Sequence, residues 1–263
     1  MIIFTGMIFN KLSAEKRLLA IPLFNEEATI QSVINEIRKY YADDILIVND
    51  GSKDNSLALL RGMNDSGITI INHAENQGYG KSLIDAFDYS IVNNYTQLVT
   101  IDCDWQHEPK QIPEFFKELK NADIVSGSRY YFDQKNTNSN AGDSAPSDRY
   151  RINRIITEKI NELTSFKITD SFCGFKGYKV CALKKLQITE ADYAMPLQFW
   201  IQACFACLKV KEIPVKRIYN NLNRTFGTIL DDAEKRLQYY LKIIESELSK
   251  NENKSNAHCC ASR

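Results

Sequence analysis

Leu18-Leu19-Ala20-Ile21-Pro22-Leu23-Phe24-Asn25-Glu26-Glu27 is an unbroken apolar run that stops abruptly in a polar cluster. Ile30, Val33, Ile34, Ile37 and Tyr41 then recur at helical spacing, so the stretch reads strand, loop, amphipathic helix. The pattern repeats along the chain. Ile45-Leu46-Ile47-Val48 ends in Asn49-Asp50-Gly51-Ser52, ahead of Leu57, Leu59, Leu60 and Met63. Ile68-Thr69-Ile70-Ile71 leads to Gly78-Tyr79-Gly80 and a helix carrying Leu83, Ile84, Phe87 and Ile91. Leu98-Val99-Thr100-Ile101 ends in Asp102-Cys103-Asp104, and Ile124-Val125 offers a fifth strand. Strands that are apolar without alternation are buried on both faces, and strands separated by helices form parallel βαβ units. The fold class is therefore α/β, a mostly parallel central sheet flanked by helices. In such sheets ligands bind beyond the carboxyl ends of the strands, and the polar clusters of this chain fall there.

The remaining composition narrows the function. Of 263 residues, 44% are hydrophobic and 25% charged, which supplies a full core for one α/β domain. Lys and Arg total 33 and Asp and Glu total 33, so the formal net charge is zero. That balance argues against nucleic acid as a partner, because such affinity rests on neutralising phosphates, but it leaves room for a local basic pocket. No apolar run reaches the roughly 18–20 residues that span a bilayer. Met1 to Phe9 is apolar but short, without a basic n-region or an Ala-x-Ala-like cleavage site, so a cytoplasmic location is the default expectation. Seven scattered cysteines give no disulfide framework. Cys204 and Cys207 form a C-x-x-C inside the apolar run Phe199 to Leu208, where small buried side chains are the simpler reading.

From Tyr131 to Asp148 the chain turns polar, reading either as a long loop beside the site or as an ordinary surface insertion. A helix near Arg151 to Leu163 follows, then Asp170-Ser171-Phe172-Cys173-Gly174-Phe175-Lys176 and a helix around Leu197 to Leu208. A strand-like stretch from Val210 to Tyr219 and an amphipathic helix from Thr228 to Leu248 complete the order. The expected organisation is one domain over 1–250, a first half at 18–130 and a second at 131–250, with a disordered tail at 251–263. The ending Cys259-Cys260-Ala261-Ser262-Arg263 has the outline of a prenylation box, but arginine is not a usual last residue.

Asp102-Cys103-Asp104-Trp105-Gln106 carries the strongest chemistry. Two carboxylates and an amide oxygen at a strand end are hard oxygen ligands that suit Mg²⁺ or Mn²⁺, ions usually held by one or two carboxylates plus substrate phosphates. Taken alone, D-x-D also fits an acidic surface loop; here a buried-looking strand runs straight into it. The Asp50 carboxylate suits a nucleobase N–H, or equally a turn or helix cap. In Pro22-Leu23-Phe24-Asn25-Glu26, Glu26 suits a ribose hydroxyl, against a plain strand end. Gly78-Tyr79-Gly80-Lys81 precedes a helix and could approach a phosphate, yet lacks P-loop spacing. Arg129, just past the fifth strand, and Arg224, in a second basic stretch, can each hold a diphosphate bidentately.

The combination is specific. P-L-F-N-E at 22–26, N-D-G-S at 49–52, N-x-G-Y-G-K at 76–81, D-C-D-W-Q-H-x-P at 102–109, S-G-S-R-Y at 126–130 and D-S-F-C-G-F-K at 170–176 occur in this order. They resemble glycosyltransferase family 2, in the branch of dolichyl-phosphate mannosyltransferase and related polyprenyl-phosphate sugar transferases, from about Leu18 to about Arg236. The resemblance implies a GT-A (Rossmann-like) fold and an inverting single displacement. It implies a nucleotide-sugar donor of the GDP-mannose or UDP-glucose type, Mg²⁺ or Mn²⁺ as cofactor, and a polyprenyl-phosphate acceptor met at a membrane surface. Pro22, Phe24, Glu26 and Asp50 are implied to bind the nucleoside, and Asp102, Asp104 and Gln106 the metal. Arg129 and Arg224 are implied on the diphosphate, with Lys81 on the substrate. Asp104 and Arg129 would carry catalysis.

Two departures accompany the resemblance. Many inverting relatives carry a carboxylate base where this chain has Gln198, and an amide cannot take a proton at neutral pH. An ionised phosphate acceptor needs no base, whereas a hydroxyl acceptor needs one elsewhere, at Glu190 or Asp192. The C-terminal transmembrane segment of some relatives is also absent, so lipid contact is expected to be peripheral. Competing readings are transfer to a hydroxyl of a glycan or protein, a nucleotide-sugar-binding protein without turnover, and a nucleotidyltransferase. The last would normally carry a glycine-rich basic loop after the first strand, which 22–27 is not.

Overall fold

The computed structural model describes residues 15–132, 147–218 and 229–255. Seven strands form one sheet: β1 (Arg17–Leu23), β2 (Asp44–Asn49), β3 (Ile68–Asn72), β4 (Gln97–Thr100), β5 (Ile124–Ser128), β6 (Lys176–Lys179) and β7 (Val210–Pro214). Their spatial order is β3-β2-β1-β4-β6-β5-β7. All pairs are parallel except those of β6, which runs antiparallel to both β4 and β5. The first four helices are α1 (Ile30–Arg38), α2 (Ser56–Arg61), α3 (Tyr79–Val92) and α4 (Ile112–Glu118). The rest are α5 (Ser147–Thr164), α6 (Val180–Leu183), α7 (Met195–Phe205) and α8 (Ala233–Ser255).

The strand side chains divide by parity, as a period of two requires. Leu18, Ala20, Leu46, Val48, Leu98 and Tyr178 face a cluster built with α3, α5, α7 and α8. Leu19, Ile21, Leu23, Ile45, Ile47 and Val99 face the opposite cluster with α1 and α4. Both faces are thus buried, which is why the strands read as continuous apolar runs.

Strand β6 went unread in the sequence. Lys176-Gly177-Tyr178-Lys179 is too polar and short to show the expected signature, yet Lys176, Gly177 and Tyr178 are buried between β4 and β5. Gly177 fits because a Cβ there would already stand 3.3 Å from Leu119 Cδ1. A second correction concerns the tail. Helix α8 continues to Ser255, past the expected boundary at 251, with Asn251 Nδ2 donating to the Glu247 carbonyl at 2.8 Å. Residues 256–263, including Cys259 and Cys260, lie outside the described residues.

The topology opens the site. From β1 the chain moves outward to β2 and β3, then crosses back to place β4 on the other flank of β1, and such a reversal is where α/β sheets bind ligands. The β1–β4 ladder ends at Ala20↔Thr100, whereas β1–β2 continues to Leu23↔Asn49. Pro22, which cannot donate to a ladder, stands beyond the end of β4. Among the described residues no helix is long and apolar enough to cross a membrane.

Candidate active site

Beyond these diverging strand ends lies a cavity of about 680 Å³. From the first half of the chain Pro22, Phe24, Glu26, Asp50, Asp102, Asp104, Gln106 and Arg129 line it. From the second half come Arg149, Asn153, Phe172, Asp192, Tyr193, Pro196, Arg236 and Tyr240. Eight of the sequence-derived site residues therefore converge on one space, as the shared position at strand ends requires.

Phe24 stands at the rim, 40% exposed, directly after β1. Glu26 begins the turn into α1: its amide donates to Ser56 Oγ at 2.9 Å and its Oε2 accepts from Thr29 Oγ1 at 3.0 Å. Asp50 is buried at the end of β2. Its Oδ1 accepts from the Gln77 amide at 2.8 Å and its Oδ2 from the Gly78 amide at 2.9 Å. His73 Nδ1 lies 2.7 Å from Oδ1, and His73 Nε2 lies 2.8 Å from Asp85 Oδ2. The carboxylate therefore shapes the 76–78 loop as well as facing the cavity.

Two expectations shift here. Lys81 does not line the cavity; its ammonium is held by Asp85 one helical turn on, because a Lys at this position projects along α3 rather than toward the strand ends. The glycines of Gly78-Tyr79-Gly80 serve a protein contact. A Cβ on Gly78 would stand 2.3 Å from the Ala191 carbonyl oxygen, and one on Gly80 2.5 Å from that of Glu190. Only bare backbone admits the 190–192 loop, and the Lys81 amide donates to Ala191 O at 2.9 Å.

At the end of β4, Tyr79 donates its hydroxyl to Asp102 Oδ1 at 3.1 Å, and His107 Nε2 lies 3.5 Å from Oδ2. Burial, reinforced by the Asp102 charge, pushes the Tyr79 phenol well above its ordinary value, so it remains a donor. Asp104 Oδ1 accepts from the Gln106 amide at 3.1 Å, closing a turn in which Trp105 takes φ 60°. A positive φ on so bulky a residue is strained, and strain of this kind gathers at functional turns. Among the described residues no three His, Cys, Asp or Glu side chains converge to form a metal cage. Two carboxylates on the cavity wall with the Gln106 amide beside them fit Mg²⁺ or Mn²⁺, whose remaining ligands are ordinarily water and substrate phosphate.

Arg129 follows β5 and is held by buried Asp170. Its Nε donates to Asp170 Oδ2 at 2.7 Å and its Nη2 to Oδ1 at 3.0 Å, a bidentate pair that leaves Nη1 out. Asp170 Oδ1 also accepts from Asn153 Nδ2 at 2.8 Å. Burial alone would raise the Asp170 carboxyl, but Arg129 outweighs it and holds the value at about 2. Arg224 lies outside the described residues.

The second half supplies what single-sequence reading left unassigned. Arg236, only 2% exposed, ties Asp148 to the Leu230 carbonyl. Tyr193 stacks on Tyr79 with centroids 6.0 Å apart, and Phe172 meets Tyr240 at 5.0 Å. Of the two candidate bases, Asp192 lines the cavity, while Glu190 Oε1 accepts the Tyr239 hydroxyl at 2.7 Å. Gln198 does not line the cavity. Its Oε1 accepts from the Thr189 and Glu190 amides, each at 2.8 Å, and its Nε2 donates to Glu247 at 2.9 Å. An amide there is a structural bridge between α7, the 189–190 loop and α8, so its replacement of a carboxylate says nothing about the acceptor.

The sequence profile of Glycosyl transferase family 2 matches residues 19–187. The UDP-N-acetylglucosamine–dolichyl-phosphate N-acetylglucosaminyltransferase of Methanococcus voltae is 26% identical over 235 residues, covering 80% of this chain and 88% of that one. The undecaprenyl-phosphate mannosyltransferase of Micrococcus luteus is 23% identical over 224 residues, 82% and 90% of the two chains. The fold matches that of glucosyl-3-phosphoglycerate synthase from Mycobacterium tuberculosis, solved with Mn²⁺, UDP and glucosyl-3-phosphoglycerate. The TM-score is 0.67 at 16% identity, over 90% of this chain and 81% of that one. The architecture is GT-A.

Proposed function

The chain belongs to glycosyl transferase family 2, and on that premise we propose that it is an inverting hexosyltransferase, using Mg²⁺ or Mn²⁺, that moves a sugar from a nucleoside diphosphate onto a polyprenyl phosphate. One observation carries the reading. A single cavity joins a wall of carboxylates, Glu26, Asp50, Asp102 and Asp104, to a wall bearing Arg149, Arg236, Phe172, Tyr193 and Tyr240. The first suits a nucleoside and a metal-bound diphosphate; the second offers cations and apolar rings together, which suits a phosphate attached to hydrocarbon. The names of the Methanococcus and Micrococcus relatives support the same acceptor class.

In this reading Phe24 stacks on the base, with Pro22 beside it, while Glu26 takes a ribose hydroxyl and Asp50 a base N–H. Asp102, Asp104 and Gln106 would hold the divalent ion, which would supply charge neutralisation for a departing nucleoside diphosphate. Arg129 adds a charge-assisted contact to the same leaving group, with Arg224 of the 219–228 segment as a second. An acceptor phosphate oxygen attacks the anomeric carbon from the face opposite the diphosphate. The new carbon–oxygen bond forms as the old one breaks, and the electron pair leaves on the diphosphate. The attacking oxygen is already ionised, so no proton need move. Lipid acceptor would be met peripherally at a membrane surface.

A second reading, transfer to a hydroxyl, is favoured by the Asp192 carboxylate on the cavity wall, placed to take a proton. One assay separates the two. Purified protein is given a panel of nucleotide sugars with Mn²⁺, Mg²⁺ or EDTA, with and without polyprenyl phosphate in detergent. The expected result is metal-dependent release of one nucleoside diphosphate that requires the lipid phosphate and persists in Asp192→Asn. Its loss in Asp104→Ala, with the fold intact, is also expected. Release that needs a glycan or peptide and disappears in Asp192→Asn supports the second reading. Failure to bind any nucleoside diphosphate overturns both.

A further inference from the structure

Behind the cavity wall, on edge strand β7, lies a carboxylate that the reaction itself does not use. Glu212 is half-buried and absent from the cavity lining. It pairs in register with Ser126 of β5, three residues before Arg129. Among the described residues, every hydrogen bond its carboxylate makes is one it accepts. The Thr169 amide reaches Oε1 at 2.9 Å and Oε2 at 2.8 Å, Thr169 Oγ1 donates to Oε2 at 2.8 Å, and the Asp170 amide donates to Oε1 at 3.2 Å. Thr169 Oγ1, having given its proton to Glu212, can only accept from Ser128 Oγ, its other partner. Ser128 Oγ in turn accepts from the Tyr130 amide at 3.2 Å. The residues before and after Arg129 are thus tied to Glu212 through Thr169. Asp170, whose side chain grips the guanidinium, is tied to it through its own amide.

We propose that Glu212 is a positioning residue for the donor's diphosphate: it fixes the Thr169–Asp170 peptide and the Ser128 hydroxyl, and through them the direction of the Arg129 guanidinium on the cavity wall. The inference rests on the reading of Arg129 as a diphosphate ligand. Its physical basis is that a bidentate pair fixes one group only as well as its partner is fixed. Asp170 sits in a loop between α5 and β6; the Arg129 amide holds its carboxylate directly at 3.2 Å, and Glu212 ties the Thr169–Asp170 backbone to the edge of the sheet.

The test measures affinity by calorimetry for UDP against UMP and GDP against GMP, each with Mn²⁺, on the full chain. Arg129 touches only what the diphosphate adds, so the readout is the ratio of diphosphate to monophosphate affinity. Arg129→Ala sets the scale by collapsing that ratio. At pH 8, where the carboxyl is ionised, Glu212→Gln keeps the shape but replaces one acceptor oxygen with a donor. It is expected to lower the ratio about tenfold, the scale of one misaligned hydrogen bond to a charged group, while monophosphate affinity stays unchanged. If Glu212→Gln does not fold, Thr169→Val preserves the β-branched shape and removes only the linking hydroxyl, with a smaller loss expected in the same ratio. A ratio that falls in Arg129→Ala but keeps its wild-type value in both other variants overturns the inference and leaves the function standing. A ratio untouched by Arg129→Ala overturns the role of Arg129 and the inference with it.

Discussion

Glutamine in place of Glu212 has a second consequence, visible without any ligand. Burial pushes the Glu212 carboxyl up from the ordinary 4.5 to about 7, even though the Thr169 and Asp170 amides and the Thr169 hydroxyl pull it down, and the Asp170 charge adds to the rise. The ionised form is the one with enough acceptor positions for its four contacts, yet it is costly where burial strips part of its hydration. The native state therefore holds a proton on Glu212 at pH values where the unfolded chain has released it. Stability from this group is fully present below pH 4.5 and is lost as pH rises through about 7. At about 1.4 kcal/mol per pH unit the interval is worth roughly 3 kcal/mol, an upper figure because the side chain is not wholly shielded. Asp170, at about 2, titrates below this window. The assay is urea unfolding of wild type and Glu212→Gln from pH 4.5 to 8, followed by fluorescence of buried Trp200. Wild type minus variant should fall by roughly 2–3 kcal/mol across that range, since groups common to both chains cancel. A difference that stays flat, or that rises with pH, refutes the argument, because it would mean that the amides outweigh burial.

Three further outcomes follow from particular contacts. Gly174→Ala would put a Cβ 2.5 Å from Asp102 Oδ2 and 2.7 Å from the Tyr79 hydroxyl, so Mn²⁺-supported UDP binding should weaken by about tenfold or more, with only a small change in melting temperature. Asp170→Asn strips the buried Arg129 of its counter-charge and should cost about 3–5 kcal/mol in urea unfolding at pH 7. Because the Asp170 carboxyl is held down, its stabilisation is present above the ordinary 3.8 and is lost as pH falls through about 2, so that gap should close only under strong acid. Gln198→Glu would set a second carboxylate against Glu247 in a buried site, lowering stability by about 1–3 kcal/mol near neutral pH, and it should not gain transfer to hydroxyl acceptors because the position faces away from the cavity.

What the sequence by itself determined is everything that short range dictates. A parallel strand buried on both faces must be apolar without alternation, so β1, β2, β4 and β5 were legible, as was the apolar run of half-exposed edge strand β3, and with them the α/β class and the strand ends at Glu26, Asp50, Asp102 and Arg129. Motif order was legible too, because backbone turns at strand ends need particular residues at particular spacings. Tertiary structure alone decided the rest, since proximity across tens of residues leaves no local trace. Lys176-Gly177-Tyr178-Lys179 became a central strand because β4 and β5 flank it, with a Cβ at Gly177 only 3.3 Å from Leu119 Cδ1. Gly78 and Gly80 look like a phosphate cradle in sequence, but the loop at 190–192 is what needs them bare. Lys81 was turned to Asp85, and Gln198 to Glu247, by neighbours that the linear pattern does not reveal. The guanidinium of Arg129 gained its direction from Asp170, 41 residues away, and through it from Glu212, because a charge can be oriented only by groups that the fold brings within hydrogen-bonding distance.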